Sequence, residues 1–542
     1  MPKGLLSLVL HAHLPLVRHP EHEEFLEEDW LYEAITEVYL PLLGALTRLR
    51  DAGARPRLTM SLSPTLCEML SDPLLRFRYA RHLDNLRALA RKEVERTAAE
   101  APQFNEAARQ FDERLREAAR LWDEVYSRDL VRAFADLQNS GVVEINTCAA
   151  THGFLPLVST DEARRAQIQV AVANYRKHFG RRPRGIWLPE CAYAEGVERL
   201  LAEVGLEYFF ADAHAVLYGD PRPRYGVHAP VRLPNGVAVF ARDVETGEQV
   251  WSAHGGYPGD PFYREFYRDI GWDAPFDYIR PHLHADGQRR ALGLKYHRVT
   301  GRDVPLSDKE PYDPRAAAER AGEHARHFVA SRVEQNARLR ETFGDLVTPL
   351  VVSPYDAELF GHWWHEGVDF LENVFRQLDA RREEVAPVSP GDYLDAGPQL
   401  QTLRLSESSW GEGGYYKVWL SEPNAWLYPR QHAAEARMTA LADRFAPLAA
   451  RDAAADELTV RALNQAAREL LLAQSSDWAF QIYQGTTADY AAGRFNTHIW
   501  RFERLAASAE RGAVDRDFLE ETEGRDDLFS EIDFRVFCSR LG

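Results

Sequence analysis

From the N-terminus to about Val388, short apolar runs that stop at Pro, His or an acidic residue alternate with longer stretches whose apolar positions recur every three or four residues. The first run, L-L-S-L-V-L-H-A-H-L-P, predicts a strand whose period of two turns His11 and His13 to the same side at its end. A helix is expected over E-D-W-L-Y-E-A-I-T-E-V-Y-L-P-L-L, with Trp30 near its start. Further strands are expected at R-L-T-M-S-L-S-P, at V-V-E-I-N-T-C-A-A-T-H-G-F, which delivers His152, and at G-I-W-L-P-E. E-Y-F-F-A-D-A-H-A-V brings Asp212 and His214 to a strand end, G-V-A-V-F-A-R-D brings Arg242, and V-V-S-P-Y-D brings Asp356. Alternation through at least seven such units predicts a parallel α/β barrel. No Gly-rich phosphate fingerprint follows the first strand, which argues against a dinucleotide fold.

Two stretches depart from this rhythm. Between Asp72 and Asn139 the chain carries Arg, Glu, Ala and Leu at helical spacing with one break at A-P-Q-F-N, predicting a helical hairpin inserted between two strands. Its alternating charges are expected to form a solvated face. The region from Val250 to Pro314 has many Gly, Pro, His and aromatic residues without a clear period, and H-G-G-Y-P-G-D-P predicts an ordered loop over a site. Beyond Val388 strands are not expected. There S-S-W-G-E-G-G-Y-Y-K-V-W-L precedes helical stretches, predicting a helical unit that lends a Trp-rich loop to the barrel mouth. The expected division is 1–71 with 140–388 for the barrel, 72–139 for the insertion and 389–542 for the C-terminal unit.

A net charge of −18 would repel polyphosphates, so nucleic acid is not an expected partner. The 12 Trp and 22 Tyr offer flat faces on which sugar rings stack, although a large barrel also buries many aromatics. Cys67, Cys148, Cys191 and Cys538 are scattered without C-x-x-C spacing and are expected as free thiols of a cytoplasmic protein. The N-terminal apolar run is cut at His11 and fits a first strand better than a signal peptide. No stretch reaches the apolar length of a membrane span.

Chemistry centres on W-L-P-E-C-A-Y, Trp187 to Tyr193. Glu190 follows an apolar strand directly, at the end where parallel α/β enzymes place reactive groups. Asp356 stands in the same strand-then-acid arrangement. Two carboxylates facing each other across a barrel mouth suit glycoside chemistry, one attacking the anomeric carbon and the other protonating the leaving oxygen. Asp356, among Tyr355, Phe360 and Trp363, is the better acid because apolar surroundings hold its proton, which leaves Glu190 as nucleophile. A competing reading makes His11, His13, His152 and an Asp the ligands of a divalent ion, as in a metal-dependent carbohydrate deacetylase or amidohydrolase. A non-enzymatic glucan-binding protein would use the aromatics without the paired acids.

At these motifs the sequence resembles glycoside hydrolase family 57, and within it the α-1,4-glucan branching enzymes of glycogen synthesis. The resemblance runs through H-A-H-L-P-L, T-H-G-F-L-P-L, G-I-W-L-P-E-C-A-Y, S-P-Y-D-A-E-L-F-G-H-W-W and L-L-L-A-Q-S-S-D-W. It implies an α/β fold, a (β/α)7 barrel with an inserted helical hairpin domain and an all-helical C-terminal domain, and no metal or cofactor. It implies Glu190 as nucleophile and Asp356 as acid/base; in the glycoside reading His11, His13 and His152 hydrogen-bond sugar hydroxyls instead of a metal. It further implies glucan contacts from Arg242, Gly259, Trp410 and Asp477, and substrate-lining rings at Trp30, Trp251 and Trp419. Two departures stand out. Thr486 occupies a position where such enzymes often carry glutamine. The stretch from His214 to Gly236 is short where branching members carry a long loop tipped by tyrosine, and Tyr218 and Tyr225 are the tyrosines in it. A tyrosine lid that excludes water favours transfer, so a shortened loop brings an α-amylase-like hydrolase into consideration.

Overall fold

A computed structural model describes residues 2–252, 255–447 and 454–539. The described residues form ten strands: β1 (Gly4–Ala12), β2 (Leu58–Leu62), β3 (Val143–Cys148), β4 (Gly185–Trp187), β5 (Tyr208–Ala211), β6 (Val231–Arg232), β7 (Ala238–Ala241), β8 (Leu350–Asp356), β9 (Val385–Pro387) and β10 (Gln401–Thr402). Seven of them pair in parallel in the order β7-β5-β4-β3-β2-β1-β8, the curled sheet of a (β/α)7 barrel. The seam between β7 and β8 carries no ladder; it is crossed where Asp243 N–H donates to the Val352 carbonyl at 2.8 Å. Register sets the chemistry of the rim, because His11 on β1 lies level with Ser61 on β2 and with Asp356 on β8.

Side chains on the two faces of these strands enter separate cores. Val9, Cys148, Trp187, Phe210, Phe240 and Val352, from six different strands, form one buried cluster. Leu6, Leu8, Leu10, Leu58 and Met60 join the larger core under the surrounding helices. The strands are buried on both faces, which is why they read as nearly continuous apolar runs. All four cysteines are buried free thiols. No described helix is long and apolar enough to cross a membrane.

The insertion folds as helices Pro73–Glu100, Asn105–Arg120 and Leu130–Asn139, with Asp72 capping the first by accepting from Leu75 N–H. Its charges are not all solvated as expected. Glu93 is fully buried, bonded to Arg96 at 2.7 Å and to the Tyr278 hydroxyl at 2.7 Å. The segment after Val250 packs onto the hairpin, so a residue that looked like surface becomes an interface acid satisfied by three donor atoms. The loop expected at H-G-G-Y-P-G-D-P forms a 3₁₀ turn at Tyr257–Gly259; its first residue, His254, lies outside the described residues.

Past Val388 the expectation of no further strand is corrected by β10, which pairs in parallel with β6 while β6 pairs antiparallel with β7. Two residues are too short for an apolar period to reveal. Helices Leu427–Phe445, Ala454–Ala473, Ser476–Gln484 and Ala488–Glu510 are the principal helices of the C-terminal region. The helix predicted after the first strand is interrupted: Glu28–Ala34 and Leu40–Asp51 flank a π-helical turn at Ile35–Tyr39. Pro41 has no N–H to give the Glu37 carbonyl, the partner an α-helix would demand.

Candidate active site

Glu190 follows β4 in a tight turn and takes a left-handed backbone, φ +62°, ψ +24°; Cys191 (φ +50°) and His152 (φ +58°) do likewise. Such conformations cost a non-glycine residue about 1–2 kcal/mol and persist only when neighbours impose them. For Glu190 and His152 the C-terminal region supplies those neighbours. Trp410 N–H donates to the Glu190 carbonyl at 3.0 Å, Ser476 N–H donates to the His152 carbonyl at 3.0 Å, and Tyr193 and Ser408 exchange backbone bonds at 2.9 and 3.2 Å. A strap of chain more than 200 residues downstream thus pins the turn that carries the acid.

The same two residues hold the carboxylate itself. Trp410 Nε1–H donates to Oε2 at 2.9 Å and the Ser476 hydroxyl donates to Oε1 at 2.8 Å. Ser476 therefore accepts from His152 Nδ1 at 2.7 Å, which leaves His152 Nε2 to accept from His11 Nε2 at 2.9 Å. His11 Nδ1 is then a bare acceptor, buried and without a partner. Burial, with the neighbouring imidazoles, holds both rings well below the usual histidine range, so both are neutral. Trp187 lies flat against His11, ring centroids 4.8 Å apart, and Trp410 meets Trp187 edge-on at 4.9 Å.

His13 continues the set one position past β1. It bonds Ser63 Oγ at 2.8 Å and Asp477 Oδ2 at 2.9 Å and stacks on His152 with centroids 3.9 Å apart. Burial pulls the Asp477 carboxyl up, but the His13 charge and hydrogen bond outweigh it and hold the group at about 2. Asp477 is accordingly an anion.

Asp356 ends β8 in a different setting. Burial, then the charge of Glu358, then that of Glu190 push its carboxyl well above the aspartate range, and Arg242 opposes this only in part. Glu190 is also raised, chiefly by burial, but the Trp410 and Ser476 donors pull it back. Two acids at one rim therefore have different proton affinities, the usual mark of an acid and a base sharing one site. Arg242, after β7, is 3.4 Å from Asp212, whose other oxygen meets His214 Nδ1 at 3.0 Å; His214 Nε2 is 2.7 Å from the Gly414 carbonyl.

The structure thus gathers Glu190, His11, His152 and Trp410 into one hydrogen-bonded group and His13 with Asp477 into a second, the two sharing one set through the His13–His152 stack, with Asp356 and Arg242 coupled to it by charge. Trp419 departs from the expectation of an open substrate ring. It is buried, stacked on Phe154 at 4.7 Å, so its faces are covered. Trp30 packs edge-on to Tyr490. Trp251, Gly259 and Thr486 are exposed on separate segments, and among the described residues none is hydrogen-bonded to the set. Ser476, Ser63 and Glu358 belong to the site although sequence reasoning passed over them. For Ser476 the available signal was a hydroxyl beside Asp477 in S-S-D-W.

For a metal, His13, His152 and Asp477 bring ligand atoms within 4.8 Å of one another, as do His11, Cys148 and His152. In the structure His13 and His152 have both ring nitrogens engaged by Ser63, Ser476, Asp477 and His11, so the polar set is satisfied as it stands apart from His11 Nδ1.

The sequence model described as glycosyl hydrolase family 57 matches residues 7–342, and that described as 1,4-alpha-glucan branching enzyme, C-terminal, matches residues 430–537. A 1,4-alpha-glucan branching enzyme of Thermococcus kodakarensis is 38% identical over 98% of this chain and 78% of its own length. Among solved structures, the alpha-amylase AmyC from Thermotoga maritima superposes with a TM-score of 0.91 at 43% identity, over 99% of this chain and 100% of that one. A branching enzyme of the same family from Thermococcus kodakaraensis superposes with a TM-score of 0.87 at 36% identity, over 99% and 97%. The sequence match, the paired acids at the barrel rim and the fold agree: this chain belongs to glycosyl hydrolase family 57.

Proposed function

We propose that this protein is a retaining α-glucan transglycosylase that cleaves α-1,4 bonds and re-forms them as α-1,6 branches, with Glu190 as nucleophile and Asp356 as acid/base. The observation that carries the reading is the contrast between the two acids: Glu190 receives a donor on each oxygen, while Asp356 is pushed toward its protonated form by burial and like charge. Asp356 gives its proton to the glycosidic oxygen as Glu190 bonds to the anomeric carbon and the C–O bond breaks. The resulting Asp356 carboxylate then takes the proton of an incoming 6-hydroxyl, the new C–O bond forms, and Glu190 leaves as the anion its two donors stabilise. The branching assignment is supported by the Thermococcus relative and the C-terminal match. We assign the chain past Val388 the task of completing the site, through Trp410 and Ser476.

A hydrolytic second reading is favoured by the segment after Asp212. It forms a short helix, Ala213–Leu217, and is tied down where Asp220 and Arg404 exchange backbone bonds at 2.9 and 2.8 Å. Tyr218 is 58% exposed, and Tyr225 packs edge-on to Phe343 at 5.1 Å. The amylase of similar length also stands behind this reading.

Proton NMR of amylose incubated with the protein decides between them. Anomeric signals of α-1,6 linkages rising well ahead of reducing ends support transfer, and reducing ends rising alone support hydrolysis. Loss of either activity on exhaustive chelation, with recovery on adding zinc, would move the histidines from sugar contacts to metal ligands.

A further inference from the structure

The loop that follows Asp356 is gripped by the π-helical turn Ile35–Tyr39 at three points. The Tyr39 hydroxyl, fully buried, donates to Glu358 Oε1 at 2.5 Å. Glu37 Oε2 is 2.6 Å from His362 Nδ1. Between them Gly361, at φ +115°, packs so tightly on the turn that a Cβ there would lie 2.0 Å from the Glu37 carbonyl oxygen, the oxygen that Pro41 leaves without its helical donor. A π-helical turn shifts the following residues around the helix axis, and such insertions concentrate at functional sites. In this protein the shift aims Glu37 and Tyr39 at one loop.

We propose that Glu358 is a positioning residue for Asp356, and that Tyr39, presented by the π-helical turn, fixes where the Glu358 carboxyl stands. The inference rests on the reading of Asp356 as the acid. Glu358 is half-buried two residues beyond Asp356, with the Tyr39 hydroxyl and the His13 backbone N–H donating to it. Burial raises it to about 7, against those donors and the charge of His13. The other titrating groups facing Asp356 are Glu190 and Cys191 from the turn after β4 and Arg242 after β7. Of the two acids that raise Asp356, Glu358 acts more strongly than Glu190. As pH rises through 7, Glu358 ionises and strengthens the hold of Asp356 on its proton, which extends the acid's working range upward.

The test is the basic limb of the kcat/KM–pH profile, which reports the acid of the free enzyme. Glu358→Gln should move that limb down by about 0.5–1 pH unit, because a like charge is removed from beside Asp356. Tyr39→Phe should move it the same way by less, since losing the donor keeps Glu358 neutral to higher pH. A rate loss with the limb unmoved in both variants would make Glu358 structural only and overturn the proposal; if Glu358→Gln does not fold, Tyr39→Phe decides alone. Asp356→Ala, assayed on an aryl α-maltoside whose leaving group needs no proton, separates the underlying reading. Retained aryl cleavage with lost amylose cleavage upholds Asp356 as the acid, whereas equal loss on both substrates removes it.

Discussion

The turn after β4 and the loop after β8 carry the two acids of the site, and they are built in opposite ways. Glu190 is set in a strained backbone by donors reaching in from the C-terminal region, and both its oxygens are bonded. Asp356 continues an unstrained strand, its loop is fixed from the N-terminal helix, and no hydrogen bond to its carboxyl is found among the described residues. Donors favour the charged form of a carboxyl and unrelieved burial favours the neutral form. The difference in support is therefore the difference in chemical role, and each arm of the contrast can be attacked separately.

The largest effect belongs to Glu190→Gln. It should cost about four orders of magnitude or more in kcat, as nucleophile removal does in other covalent enzymes, with glucan affinity by calorimetry nearly unchanged. Asp356→Asn should lower the rate on amylose about 10²–10⁴-fold, the range of general acid catalysis. It should also raise Tm at pH 7. A carboxyl whose folded pKa is raised contributes stability below its unfolded pKa near 3.9 that is lost as pH climbs through the folded value, and Asn escapes that loss. Trp410→Phe keeps the ring but removes a donor from Glu190; the Glu190 carboxyl should rise further, moving the acid limb of kcat/KM to higher pH. An acid limb that stays in place would mean that Trp410 serves only as a wall.

The smallest effect separates the second anion of the site from the first. Asp477 is held at about 2, so it contributes stability that is complete above its unfolded pKa near 3.9 and is lost as pH falls through about 2. Asp477→Asn should lower Tm at pH 7, and calorimetry at descending pH should show the gap to wild type closing toward pH 2. A gap independent of pH would show that the His13 contact is held by geometry rather than charge.

Much of this was legible in the sequence, and where it was not there is a physical reason. Strand-then-acid placement exposed Glu190 and Asp356, because an apolar run that stops at a carboxyl has a rim as its natural end. The period of two placed His11 and His13 together. What escaped was pairing over long separations: Ser476 reaching Glu190, Tyr39 reaching Glu358, and Tyr278 closing over Glu93. Each is a contact between residues that look ordinary in their own segments. The left-handed Glu190 escaped for the opposite reason, since the residue type opposes the conformation that the strap from Ser408 to Trp410 imposes. Trp419 shows the limit of a resemblance, because a tryptophan in an aromatic loop is as readily a core residue as a sugar platform.

The most direct test of Glu190 as the covalent partner is mass spectrometry of protein treated with a slow fluorinated maltosyl fluoride, a donor whose good leaving group lets the intermediate build up. One added glycosyl mass is expected, in the tryptic peptide Gly185–Arg199 and localised by fragmentation to Glu190. An adduct on Asp356, or none in a preparation that still turns over amylose, would contradict it.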